Sequence, residues 1–360
     1  MNELTEKQTL RLERDLKIIV DRLIAELPQL PEAIFLCGGY GRGEGAWLVD
    51  NEGNVAPYND YDLAVITEVP LPSKKNNELR RSLAKDIGIN WVDIDYYTKK
   101  DLKSLKSTIH NVDLLYGSRC VYGNRQVLDI CPKLDSTQIG FFDVLMLYRI
   151  RIWTFLGSWN GDFHDLKSEE AIFFKNQMAK ATLAACDLFL IKNHSYTSSY
   201  VKRSQLVCDL YKDDALLCNR VKWAINEKLH PSIGPMDRIE MYNLYFEVKK
   251  IFLKALSIAF GRDWRFFKKP ETIKKWYIFH TKYILIDMYE RVFKRTETTS
   301  KMLDVFVAQV SVFLANNEGK IQSDYLKLAS RILIKWGYLS KEETDWSVLH
   351  SVVADARNNI

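Results

Sequence analysis

The chain has 360 residues and a formal charge of +5, with 47% apolar, 27% charged and 12% aromatic residues. That length suits two domains of about 100 to 200 residues each, and the composition excludes disordered, collagenous and low-complexity classes. The most apolar stretch, 181–191, contains Asp187 and falls short of the roughly 20 residues a bilayer needs, so it reads as a buried helix. Both charges alternate through the opening segment with no apolar run behind a basic patch, so no secretory signal is expected and a cytoplasmic location is.

Cys37, Cys120, Cys131, Cys186, Cys208 and Cys218 form no CxxC pair or zinc spacing and are expected to be reduced thiols. Residues 1–135 carry 18 basic against 21 acidic side chains, a balance of −3, which leaves +8 on residues 136–360. The second part is therefore the better home for an anion, but it has no dense Lys/Arg block. A nucleic-acid partner is not expected.

In chain order, Leu12, Leu16, Ile19, Leu23 and Leu27 recur at helical spacing until Pro28. A buried strand, Ala33–Cys37, runs into Gly38 and Gly39. Strands are predicted over Tyr61–Ile66 and Trp91–Thr98 with a helix near Asn77–Ile87 between them, and an edge strand over Asp113–Tyr122. Beyond about Lys133 the period is helical: 141–156, 169–191, 200–211, 238–260, 273–293, 300–314 and 324–336. The fold class is α+β, with a small mixed sheet and flanking helices in residues 1–135 and an all-α domain in 136–360.

The chemistry concentrates between Phe35 and Leu63. Side chains two apart on a strand share a face, so Asp60 and Asp62 project together, and Asp93 and Asp95 form a second such pair. Adjacent carboxylates repel, and a divalent cation between them removes the conflict. Hard oxygen donors select magnesium, and strand-borne carboxylates around one point would hold two ions. Gly38, Gly39, Gly41, Gly43 and Gly45 follow a strand at a density that lets backbone N–H groups approach a phosphate, and Arg42 would add a positive charge.

This order of motifs, GGYGRGE followed by PYNDYDL and a later strand Asp, resembles the nucleotidyltransferase superfamily of DNA polymerase beta. The glycine motif is most similar to that of the uridylyltransferase acting on the PII protein and of small bacterial adenylyltransferases. The resemblance covers roughly residues 30–98. It implies a phosphate-binding turn at Gly38 and Gly39, metal ligands Asp60 and Asp62, and Asp93 as the third carboxylate, which helps to draw the proton from an attacking hydroxyl. Asp95 fits that third position nearly as well. Twenty residues separate Gly39 from Asp60, about ten more than the family pattern, and the excess reads as a hairpin turning at Asp50–Gly53. The site is active if the hairpin leaves its geometry intact and degenerate otherwise.

Related enzymes often place a helix-borne lysine on the triphosphate, a role open to Lys180. Tyr200 and Lys202, with Arg203, follow two serines at a helix start and could attract an anion. Glu44 is read either as approaching base, metal or acceptor or as complementing a helix dipole. Together these readings imply transfer of a nucleoside monophosphate from a nucleoside triphosphate to a hydroxyl of a small molecule or protein, with release of diphosphate. A dinucleotide second-messenger synthase and a non-catalytic nucleotide-sensing module are the alternatives.

Overall fold

A computed structural model describes residues 4–50, 52–158, 161–260 and 296–358. The chain forms a mixed α+β fold of two compact units, one made of residues 1–143 and 190–232, the other of 144–189 and 233–360. The sequence boundary at 135/136 differs from this division, because residues 190–232 return to the unit that contains the sheet. The helix read over 273–293 lies outside the described residues.

In the first unit, α1 (Glu6–Glu26) starts at a capping box in which Thr5 and Gln8 satisfy each other's backbone N–H groups. Four strands follow the order β5-β4-β1-β6: β1 (Ala33–Leu36) runs antiparallel to β4 (Tyr61–Ile66) and to β6 (Arg119–Gly123), and β4 runs parallel to β5 (Val92–Tyr97). The parallel pair needs a crossover, which α3 (Ser73–Ile87) supplies before Gly88, at φ +70°, ends it.

Alternation along the strands sorts the two faces. Ile34, Leu36, Tyr61, Leu63, Val65, Val92 and Ile94 pack with Leu12, Leu16, Ile19 and Leu23 of α1 and Leu79 and Leu83 of α3. Ala33, Phe35, Cys37, Ala64 and Ile66 pack on the other face with Leu102, Leu114 and Leu128. The side-chain period therefore assigns Asp62 and Asp93 to this second face, at the ends of β4 and β5 where strands begin.

Two expectations resolve differently. The inserted segment is the hairpin the sequence implies: β2 (Trp47–Val49) pairs antiparallel with β3 (Val55–Pro57), and Asp50 closes its turn by accepting from the N–H groups of Glu52 and Asn54 at 2.9 and 2.8 Å. The edge strand is shorter than expected. Residues 109–117 form a helix, α5 (Ile109–Gly117), because Thr108 caps it by accepting from the Asn111 N–H and Leu114 buries against the Phe35 cluster; β6 begins only after Ser118.

Two further helices, α8 (Tyr200–Leu210) and α9 (Ala215–Leu229), complete this unit. The second unit contains most of α6 (Phe141–Gly157) and α7 (Ser168–Lys192), together with α10 (Arg238–Phe260) and helices over Thr296–Ala315, Ser323–Lys335 and Trp346–Asn358. No helix among the described residues is long and apolar enough to cross a membrane.

The second unit's core is aromatic. Phe155 packs on Tyr245, Phe252 and Phe313 with ring centroids 5.0 to 5.5 Å apart. Within it, Lys249 donates to the carbonyls of Phe313 and Asn316 at the end of helix 296–315, and its ammonium lies 4.5 Å over the Phe313 ring.

Burial lowers the Lys249 ammonium from 10.5 to about 7. It also lowers His350, bonded to the Phe155 carbonyl, from 6.5 to about 4, with the Lys249 charge adding to the effect. The unfolded chain binds a proton at His350 between pH 6.5 and 4 that the folded chain refuses. The His350 contribution to stability is therefore intact above pH 6.5 and is lost as the pH drops toward 4, by roughly 3 kcal/mol in total. Denaturant midpoints of wild type and His350→Gln across pH 4 to 8 test this; the variant should lose that part of the acid-side slope.

Candidate functional site

The strands place three carboxylates at one point. Asp60 precedes β4, Asp62 is its second residue, and the parallel register sets Asp93 of β5 directly beside Asp62. One oxygen from each of Asp60, Asp62 and Asp93 lies within 4.8 Å of the others, and all three residues are half-buried. Like charges this close favour a cation between them, and an all-carboxylate set suits magnesium.

Asp95, left open by the sequence, pairs in register with Ala64 and is exposed. It sits two residues along β5, roughly 6.6 Å from the Asp93 position. Register thus selects Asp93.

Tyr61, between the two aspartates, faces the opposite core and donates to buried Asp15 of α1 at 3.1 Å. That bond fixes the start of β4. Tyr61 also meets Tyr40 edge-on at 4.8 Å, and Tyr40 meets Trp47 of the hairpin at 5.4 Å. The inserted hairpin is thereby built into the core beneath the glycine turn.

Asp93 is held from α3. Its Oδ1 accepts from the Arg80 guanidinium and from the Trp91 indole N–H at 2.9 Å; Arg80 also donates to the Val92 carbonyl at 3.1 Å and lies 5.2 Å over the Trp91 ring. Sequence reasoning missed Arg80, since nothing in the spacing of α3 distinguishes it from the helix's other cations. Only the crossover, which lays α3 beside β5, brings it there.

The diglycine turn touches the same point. Gly38 has φ +61°, and a Cβ built on it would fall 1.9 Å from Asp62 Oδ2. A Cβ on Gly39 would fall 2.9 Å from the Glu44 carbonyl oxygen. Gly38 must be glycine for the turn to lie this close to Asp62, and Gly39 for the loop to fold back on Glu44.

The N–H groups of Gly41, Arg42, Gly43 and Glu44 close back onto carbonyls of residues 37–40, whereas the first N–H groups of any helical turn have no acceptor within it. Cys37, just before the turn, is a neutral thiol: burial pushes it up to about 12, helped by the Asp62 and Asp95 charges. On the reading of this turn as a phosphate cradle, replacement of Gly38 by Ala should weaken magnesium-dependent triphosphate binding at least about tenfold, because displacements near 1 Å in such sites cost up to about 100-fold. Calorimetric titration of the variant, with circular dichroism as a control for folding, provides the measurement.

Other candidate residues lie elsewhere. Arg42 is buried, donating to Glu44 at 3.3 Å and to Asp113 of α5 at 3.1 Å, and its guanidinium lies 4.6 Å over the Tyr200 ring. It braces the loop instead of pointing a charge at the carboxylates.

Glu44 is likewise buried and answers the helix-dipole reading, but for a helix distant in sequence. It accepts from the Ser199 hydroxyl at 2.6 Å and from the backbone N–H groups of Tyr200 and Val201 at 2.8 and 3.3 Å. The anion expected at the start of α8 is therefore Glu44 itself. This fills the slot proposed for a phosphate at Tyr200 and Lys202. Tyr200 is held between the guanidiniums of Arg42 and Arg203, and Lys202 is exposed. Lys180 lies half-buried on α7 within the second unit.

No protein-family model matches the chain, and no curated protein matches it.

Proposed function

We propose that the protein is a magnesium-dependent nucleotidyltransferase that moves a nucleoside monophosphate from a nucleoside triphosphate to a hydroxyl of a small molecule or protein. The observation that carries this reading is the convergence of Asp60, Asp62 and Asp93 against a turn whose Gly38 leaves no room for a Cβ beside Asp62.

The donor set fits the metal. All three side chains are hard oxygen ligands, and a cation between them would relieve their repulsion. Magnesium bound there would neutralise charge on the phosphates and orient them for in-line displacement.

The chain's own residues do the positioning. Asp60 and Asp62 would hold the ions, with Asp62 fixed between Gly38 and the start of β4. Asp93, kept in orientation by Arg80 and Trp91, would serve as third ligand and accept the proton of the attacking hydroxyl. Gly38 and Gly39 would admit the phosphates without side-chain obstruction.

Against a degenerate copy stands the hairpin, whose Trp47 packs into the core while the carboxylates stay together. The test is titration of non-hydrolysable triphosphates of all four bases, with magnesium or with chelator. Binding that needs magnesium and disappears in the Asp60→Ala, Asp62→Ala double variant supports transfer; equal binding in chelator overturns it. Mass analysis of products made from mixed triphosphates without an acceptor separates this reading from dinucleotide synthesis.

A further inference from the structure

Helices α8 and α9 bring two thiols together within the first unit. Cys208 lies near the end of α8 and Cys218 in the first turn of α9, both half-buried. Each Sγ lies 3.9 Å from the other residue's carbonyl oxygen. This reciprocal approach brings each cysteine side chain against the other residue's backbone, and closeness of the two residues is the first requirement of a disulfide. Cys37 and Cys186, in contrast, are buried.

We propose that Cys208 and Cys218 are a redox modification site, closing to a reversible intramolecular disulfide when a low-molecular-weight disulfide such as oxidised glutathione is the oxidant. In the first step the Cys218 thiolate attacks one sulfur of oxidised glutathione; that S–S bond breaks and one glutathione thiolate leaves, taking up a proton. In the second, Cys208 gives its proton to solvent and its Sγ attacks the Cys218 sulfur, expelling the second glutathione. Two protein thiols lose two electrons, and one glutathione disulfide becomes two glutathione thiols.

Cys218 is the first nucleophile because the Cys208 thiol is held in its protonated form. Burial, then the Cys218 hydrogen bond and charge, push the Cys208 thiol up to about 11. The bond would tie the end of α8 to α9, while the other end of α8 is held by Glu44 of the glycine loop. The inference does not depend on the nucleotidyl-transfer reading.

Trypsin cuts after Arg203, Lys212 and Arg220, so the two cysteines fall on separate peptides, 204–212 and 213–220. The full chain is treated with excess oxidised glutathione, alkylated and digested. The expected product is these two peptides joined, lighter by two hydrogens and parted by dithiothreitol. Thiols titrated in denaturant should fall from the six free cysteines by two. Cys218→Ser should retain its remaining thiols, and Cys208→Ser should hold glutathione on Cys218. An unchanged thiol count in wild type, glutathione on either cysteine without the joined peptides, or the same thiol loss in both variants would overturn the proposal. The wild-type peptide map decides even if a variant folds poorly.

Discussion

Exchanging Asp62 for Asn is expected to reduce nucleotide transfer by roughly 1,000-fold, about 4 kcal/mol at the transition state, measured as diphosphate release with saturating magnesium. The same substitution should leave the metal-free protein as stable as wild type or more so. Three half-buried carboxylates with oxygens within 4.8 Å of one another repel in the absence of a cation, and a neutral amide removes part of that repulsion. Magnesium should then raise the unfolding midpoint of wild type, because a ligand bound only by the folded state stabilises it, and should do little for Asp62→Asn. Gain in chelator combined with loss of turnover is a pattern that a merely structural aspartate would not give. Asp95→Asn is the control: exposed and in register with Ala64, it should retain activity within about threefold, less than 1 kcal/mol. If Asp95→Asn abolished transfer while Asp93→Asn did not, the third carboxylate would have been assigned to the wrong residue.

That assignment marks where the sequence stops being legible. The period of two in NDYDL puts Asp60 and Asp62 on one face, and the strand, diglycine and hairpin follow from apolar runs and turn residues that act locally. Choosing between Asp93 and Asp95 needs the register of two strands whose partners are 31 positions apart, which no local pattern encodes.

Arg42 meets the same limit. A cation beside a glycine turn looks like a phosphate ligand until its partners appear, and these are Asp113, 71 residues away, and Tyr200. Glu44 meets Ser199 across 155 residues. Such long-range pairs are also why residues 190–232 join the sheet-bearing unit while helical periodicity alone grouped them with the rest of the helices. The edge strand read from Asp113 gives way to α5 over 109–117 because a Thr before an apolar run, here Thr108, starts a helix or a strand equally well.

Removing Asp113 should cost about 3 to 5 kcal/mol of stability. Its carboxylate accepts from Arg42 at 3.1 Å, Arg203 at 3.3 Å and the Tyr196 hydroxyl at 3.0 Å, while the two guanidiniums are only 5% and 3% exposed. Asp113→Ala would leave two guanidiniums out of water next to each other, with the Glu44 carboxylate on Arg42, the aromatic faces of Tyr196 and Tyr200 and nearby carbonyls offsetting only part of the lost charge. A surface pair gives the scale. Lys17 and Asp21 on α1 are 76% and 61% exposed, and Lys17→Ala should change stability by less than about 0.5 kcal/mol although its 2.7 Å contact is shorter. Burial decides the difference, because water screens one pair and is absent from the other. Pairing Asp113→Ala with Arg203→Met should recover part of the loss, since it takes away one of the two buried cations whose shared carboxylate the single variant removes. Because Arg42 joins Asp113 to the loop carrying Gly38 and Gly39, Asp113→Ala should also weaken magnesium-dependent triphosphate binding in protein that remains folded. Urea midpoints of the three variants measure the energies, and a cost below about 1 kcal/mol for Asp113→Ala would mean that the network does not hold the glycine loop to residues 190–232.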